Sequence, residues 1–320
     1  MKLFQKKNTG ETPSVSPKPA LNGASASLAL APRKKELISG RAQLNIRRTL
    51  VYIVLVILTL MCLFPIWILL VNMTRTHAQI QTNFSLWFGG HLAENWTAVF
   101  NRSNIKLGNG LLNSLFIAFF SSILTCYFSA LTAFAIQIYN FKGKSIIFTF
   151  ILLIMMIPSQ VGALGFLQMM TDMKALNKFW PLILPSIASP VVFFYMKQYM
   201  EAVLPFEIIE AARVDGASEI SIFHIIVLPL MVPALAVQFI FCFVGSWNNL
   251  FIPSLLLTGD VTKETIPIII SKFTDNSNPI NFDLGQVYVA IGLAIIPLVI
   301  MYLFFSRFII KGMTAGAVKG

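Results

Sequence analysis

Charge is scarce in this sequence. Of its 320 residues, 12% are Asp, Glu, Lys or Arg, while 56% are hydrophobic. Soluble domains carry about twice that charge. A chain of this size with so little polar surface cannot clothe itself for water, so lipid must cover much of it. Cysteine is scarce too. Cys62, Cys126 and Cys242 each lie in an apolar run, with no C-x-x-C spacing and no histidine cluster nearby. That excludes a disulfide scaffold and a zinc site, and predicts three small buried apolar side chains. The histidines, His77, His91 and His224, are scattered, which argues against metal or acid–base chemistry.

Nucleotide-binding machinery is also missing. Gly143-Lys144-Ser145 resembles the end of a phosphate-binding loop, but the first glycine that loop needs falls on Ile138, and an apolar helix rather than a strand comes before it. No enzyme activity, cofactor or metal is expected of this chain. The net charge of +11 does not indicate nucleic acid, because no basic run is interleaved with aromatics on a soluble domain. Asn83, Asn95 and Asn101 fit the glycosylation pattern without further support.

The apolar residues come in long continuous runs. Six segments, at approximately 49–71, 111–138, 145–170, 180–199, 228–257 and 285–307, are each long enough to cross a bilayer core of about 30 Å. Backbone groups in lipid must pair internally, and runs without alternation select helices over a barrel. The expected fold is an all-α integral membrane protein with six transmembrane helices. Residues 1–48 read as a disordered basic tail, 49–307 as the membrane domain and 308–320 as a short C-terminal tail. With the N-terminus inside, 17 of the 24 Lys and Arg residues fall on the inner side, as the positive-inside rule requires. Both termini and the long loop 200–227 are then cytoplasmic. Pro65, Pro158, Pro185, Pro190, Pro253 and Pro297, within or beside spans, predict kinks.

That loop carries the most information. Pro205 suits a first helical position, and Glu207 and Glu210 suit the first turns, where the helix dipole favours acid. Gly216 can adopt positive φ and stop the helix, after which Asp215 or Ser218 can cap a second one. Phe206, Ile209 and Ala212 share one face, and Ala211 and Ala212 allow close approach. Glu201, Glu207, Glu210, Asp215 and Glu219 against Lys197 and Arg213 make the loop acidic, which suits a protein partner better than an anionic leaflet. Two short helices meeting at a corner, with a surface for docking, are expected.

Glu210-Ala211-Ala212, then Gly216, Ile226 and Leu228-Pro229, stand at the spacing of the signature of binding-protein-dependent permeases of the ATP-binding-cassette importers. The sequence resembles that family from about residue 45 onward. Asn113-Ser114, Trp247-Asn248 and the ending Thr314 to Gly320 resemble its carbohydrate branch, the maltose-permease-like subunits. The resemblance implies a cytoplasmic coupling-helix loop in which Glu210, Ala211, Ala212, Asp215 and Gly216 meet an ATPase dimer. It also implies a second homologous permease subunit completing a heterodimeric pore, an extracellular solute-binding protein touching the loop near 258–283, and ATP with magnesium held by the separate ATPase. The implied setting is a bacterial cytoplasmic membrane, and the implied cargo a sugar or oligosaccharide. Gln160, Gln168, Gln238, Trp247, Asn248 and Asn249 are candidates for the sugar path, or for helix–helix hydrogen bonds. The spans hold almost no titratable group, which weighs against a secondary carrier driven by an ion gradient. A non-transporting scaffold, or the same importer machinery for an amino acid or phosphate, are the other readings.

Overall fold

The computed structural model describes residues 33–102, 105–274 and 282–317. Among them are α1 (Arg33–Met73), α2 (His77–Thr82), α3 (Leu92–Phe100), α4 (Leu107–Ile138) and α5 (Lys144–Ile154). Then come α6 (Ala163–Asp172), α7 (Trp180–Ile183), α8 (Pro190–Val203), α9 (Phe206–Val214) and α10 (Glu219–Ser221). A π-helical stretch (Ile222–Val227) leads into α11 (Leu228–Trp247), followed by α12 (Phe251–Leu256), α13 (Ile266–Phe273) and α14 (Leu284–Ala317). No strand occurs among the described residues.

Five stretches are long and apolar enough to cross a membrane: Leu44–Met73, Leu107–Ile138, Trp180–Val203, Glu219–Trp247 and Leu284–Phe308. The segment predicted as one span over 145–170 is instead broken. α5 stops at Ile154, a turn carries the chain to Pro158, and a 3₁₀ turn (Ser159–Gly162) leads into α6. Pro158 has no N–H to continue the ladder, so the apolar run goes on while the helix does not. The other prolines act differently from one another. Pro190 opens α8, behind a Ser189 cap that accepts from the Val192 amide at 3.4 Å, whereas Pro65 and Pro297 lie inside unbroken helices.

The chain divides between Cys62 and Leu63. The first unit is α1 up to Cys62. The helix already runs from Arg33, inside the stretch assigned to a disordered tail, and the part of that tail before residue 33 lies outside the described residues. Its side chains from Leu44 onward are exposed, Cys62 included, so that cysteine is not the buried side chain expected. A helix apolar all round is a membrane helix.

In the second unit α4 is the axis, packed chiefly on α11 and α8. Its buried face is a run of small residues: Gly110, Ser114, Ala118, Ser122, Thr125, Ala130 and Ala133. Small side chains let helices approach closely where the solvent is lipid, and the hydroxyls find partners across the contact. Thr125 Oγ1 donates to the Ser186 carbonyl at 2.8 Å. At its N-terminal end α4 holds α13. Asn113 Nδ2 donates to the Thr262 and Glu264 carbonyls at 2.8 and 2.9 Å, and the Ile266 amide donates to Ser114 Oγ at 2.8 Å. A second polar knot forms around Asn95, whose Nδ2 donates to the Met73 and Arg75 carbonyls, both at 2.9 Å. Asn95 is thus a buried structural residue, not a surface acceptor for sugar chains.

Candidate functional site

The C-terminal end of α4 receives the segment from α9 to the start of α11, and its local structure follows from a few residues. Pro205 lies just before α9 with φ of −67°, one position earlier than its sequence context suggests. The chain turns away from the end of α9 at Gly216, whose φ is +80°. The Gly216 amide donates to the Arg213 carbonyl and the Ala217 amide to the Ala212 carbonyl, each at 3.0 Å. This pair of bonds is the Schellman stop, which satisfies the last carbonyls of a helix by turning the chain through a left-handed residue. The spacing from Ala212 to Gly216 in the signature is therefore that of a helix cap. Ser218 starts the next helix, its Oγ accepting from the Ser221 amide at 3.3 Å. From there α10, the π-helical stretch and α11 run on without a break, and Pro229 sits in the first turn of α11.

This elbow is anchored by apolar side chains on its inner side. Ile209, Ile222, Phe223 and Val227 are buried in the core, and the Phe223 ring lies 5.5 Å from Phe134 and 5.9 Å from Tyr127 on α4. The apolar stripe Phe206–Ile209–Ala212 consequently does not form an outward docking face. Ile209 turns fully into the chain's own core and Ala212 packs beside it, leaving only Phe206 exposed. The outward face consists of Glu207, Ile208, Glu210, Ala211, Val214, Asp215 and Gly216. It is acidic, with small and apolar side chains between the carboxylates.

A polar clasp closes the elbow. Arg213 Nε donates to Glu219 Oε1 at 2.7 Å and Nη2 to Oε2 at 3.2 Å, while Tyr139 Oη donates to the same Oε2 at 2.6 Å. The guanidinium lies 5.7 Å from the centre of the Tyr139 ring. Desolvation, and then the bond to Glu219, push the Tyr139 phenol up, so it stays a donor at neutral pH. The Glu219 bond likewise holds Arg213 in its charged form. Tyr139 caps the end of α4, so the clasp joins the corner to a second membrane helix. Further along, Tyr127 Oη and His224 Nε2 lie 3.1 Å apart, and His224 Nδ1 lies 2.8 Å from the Ile220 carbonyl. That carbonyl needs a donor, so Nδ1 carries a proton, and in the neutral tautomer this selects, Nε2 accepts from Tyr127. Sequence reasoning counted Arg213 and Glu219 only as charges and missed Tyr139. The available signal was a tyrosine at the end of the apolar run, just before Lys142 and Lys144.

The six candidates for a sugar path do not converge. Gln160 and Gln168 are exposed, in the 3₁₀ turn and on α6. Gln238 and Trp247 are buried on α11, and the Trp247 ring stacks on Phe243 at 5.8 Å. Asn248 ends α11, and Asn249 Oδ1 accepts from the Ile252 amide at 3.4 Å, starting α12. A cavity of about 730 Å³ beside the N-terminal half of α4 is lined by Leu112, Asn113, Leu115, Phe116, Phe119, Phe120, Phe179 and Met301, none of them among the six.

Residues 127–315 match the family described as "Binding-protein-dependent transport system inner membrane component". The chain is 33% identical over 286 residues to the arabinooligosaccharides transport system permease protein of Bacillus subtilis, covering 87% of this chain and 98% of that protein. It is 32% identical to the trehalose/maltose transport system permease protein of Thermococcus litoralis, covering 86% and 98% of the two chains. Its fold is similar to a chain in the crystal structure of a bacterial ABC transporter involved in the import of the acidic polysaccharide alginate. That likeness has a TM-score of 0.71 at 21% identity and covers 82% of this chain and 96% of the other. With most of the chain matched, and the signature folded into a capped corner within the matched region, the protein belongs to the binding-protein-dependent transport system inner membrane components.

Proposed function

We propose that this chain is one membrane-spanning subunit of an ATP-driven importer whose cargo is a sugar or oligosaccharide. In this reading the chain crosses the membrane six times, with the broken α5–α6 segment as the third crossing and both termini in the cytoplasm. The elbow then lies on the inner side. There Glu210, Ala211, Ala212, Asp215 and Gly216 meet one subunit of an ATPase pair, which holds the ATP and magnesium. A second, homologous permease completes the pore, and an external binding protein delivers the solute.

One observation carries the proposal. The signature residues form a glycine-stopped corner whose outward face is acidic and whose inward face is buried in the bundle. Such an element suits the transmission of force from a partner in water to helices in lipid. When the ATPase pair closes, it draws the corner with it, and the helices fixed to the corner rock between inward- and outward-facing arrangements. The names of the arabinooligosaccharide and trehalose/maltose relatives favour oligosaccharide cargo. The uncharged amides of Gln160, Gln168 and Asn248, exposed beside the bundle, suit sugar hydroxyls, while Gln238, Trp247 and Asn249 would serve the path by holding its walls.

The test is uptake by cells expressing the full transporter, with radiolabelled arabinotriose, maltose, trehalose, an amino acid and phosphate offered separately. Accumulation of a sugar that persists under a protonophore while ATP is kept high, and stops when ATP is depleted, is expected. Uptake that collapses with the protonophore would instead identify an ion-gradient carrier. No sugar uptake beside accumulation of phosphate or the amino acid would move the cargo outside sugars.

A further inference from the structure

The covalent chain joins the elbow to α8 on one side and to α11 on the other. α4 is not next to it in sequence, yet the tightest polar contacts of the corner go there. Glu219 occupies an unspecified position within the signature and accepts hydrogen bonds from two sources: Nε and Nη2 of Arg213, on the last turn of α9, and the Tyr139 hydroxyl, on the end of α4. The carboxylate is only half exposed, and the arginine stacks over the same tyrosine. Three elements therefore share one carboxylate: the arm before the corner, the arm after it and the axial helix of the bundle. Bidentate arginine–carboxylate pairs fix geometry as well as contribute energy, and a third donor removes the remaining freedom of the group. The alternative is a solvated surface ion pair of little consequence. Against it stand the third donor, the stacking and the position at the junction of helices on which the bundle is built.

We infer that Tyr139, Glu219 and Arg213 form a coupling clasp that makes α4 follow the elbow, so that one displacement at the corner moves α4 and α11 together. All three are positioning residues. The inference rests on the reading of the elbow as the ATPase contact. Without the clasp the corner still docks, but part of its motion is taken up by rotation between α9 and α10, and α4 is reached only further along, through the Phe223 ring contacts and the Tyr127–His224 hydrogen bond.

The test uses the complete importer in proteoliposomes, with arabinotriose, maltose, trehalose and phosphate as parallel probes, and compares wild type with Tyr139→Phe, Glu219→Gln, their double variant and the swap Arg213→Glu/Glu219→Arg. Solute moved per ATP hydrolysed should fall on the order of fivefold in each single variant, the equivalent of one lost hydrogen bond. Membrane abundance and co-purification of the ATPase should be unchanged. The double variant should be no worse than either single one, and the swap should recover part of the ratio. Should the single variants not insert, the pair Tyr139→Cys/Glu219→Cys replaces them: poor coupling when reduced, and recovery when joined by a short bifunctional thiol reagent. A wild-type ratio in Tyr139→Phe, additive losses in the double variant, or no recovery on crosslinking would each overturn the clasp. Failure of the ATPase to co-purify with the wild-type chain would instead overturn the elbow as its docking site, and the clasp, which rests on that reading, would fall with it; an unchanged ratio with the ATPase still bound counts against the clasp alone.

Discussion

Gly216 is the position where backbone conformation can be separated from packing. Its φ of +80° is left-handed, and a Cβ built there would meet nothing within 4 Å. A side chain at Gly216 is therefore opposed by its own backbone and not by neighbours. An ordinary L-residue in the left-handed region costs roughly 1–2 kcal/mol, Asn less because its short polar side chain tolerates that region, and a β-branched residue more. A cost of one to two kcal/mol is a factor of about 5–30 in the population of the capped corner. Gly216→Asn should behave nearly as wild type, Gly216→Ala should lose a several-fold share of solute transported per ATP, and Gly216→Val should be largely uncoupled. Membrane insertion should survive in all three, since the site is exposed and local. The assay is solute moved per ATP in proteoliposomes, with chain abundance measured in parallel. If Asn proved as damaging as Val, side-chain volume at a partner interface would be the governing quantity, and the argument from the helix stop would be wrong. Normal transport by Gly216→Val would remove the corner from the mechanism altogether.

Other glycines give contrasting predictions. A Cβ on Gly110 would stand 2.3 Å from Ile269 Cδ1, so Gly110→Ala should destabilise by about 1–3 kcal/mol, and adding Ile269→Val, which deletes that methyl, should restore much of the loss in a detergent melting experiment. A Cβ on Gly285 would meet the Arg75 carbonyl at 2.7 Å and Asn95 Nδ2 at 2.6 Å. Backbone cannot withdraw as a methyl can, so Gly285→Ala should lower the melting temperature and Asn95→Ala should not rescue it. Asn113→Ala leaves the Thr262 and Glu264 carbonyls without their donor and should cost about 1–3 kcal/mol, read as earlier proteolysis of the segment between α12 and α13.

The membrane character and most of the helices were legible because lipid imposes a simple rule: long apolar runs must close their own hydrogen bonds. The elbow was legible because a proline, a run of acid and alanine, and a glycine each act locally. Gly216 could be named as the stop, and the next cap narrowed to Asp215 or Ser218, without any tertiary information; the structure places it on Ser218. What the sequence hid was tertiary. A kink at Pro158 was expected, but the full break between α5 and α6 was not, because hydropathy over 145–170 is blind to a lost N–H. The burial of Ile209 was hidden because a helical stripe does not reveal which side the bundle occupies. Asn113-Ser114, noticed only as a resemblance, turns out to clamp α13, and Tyr139 gains its role from a glutamate that lies 80 positions away. Trp247, attractive as a sugar-stacking residue, is sealed against Phe243. Long-range partners of this kind leave no local mark.

The account stands most directly on what touches Ala211, an exposed small residue in the middle of the signature. A cysteine placed there, in a chain co-expressed with its ATPase and treated with a short thiol-reactive crosslinker in inside-out vesicles, should join to an ATP-binding polypeptide, and the yield should change when ATP is added. The same cysteine in intact cells should resist a membrane-impermeant maleimide. Labelling from outside, or a crosslink to nothing that binds ATP, would contradict the account.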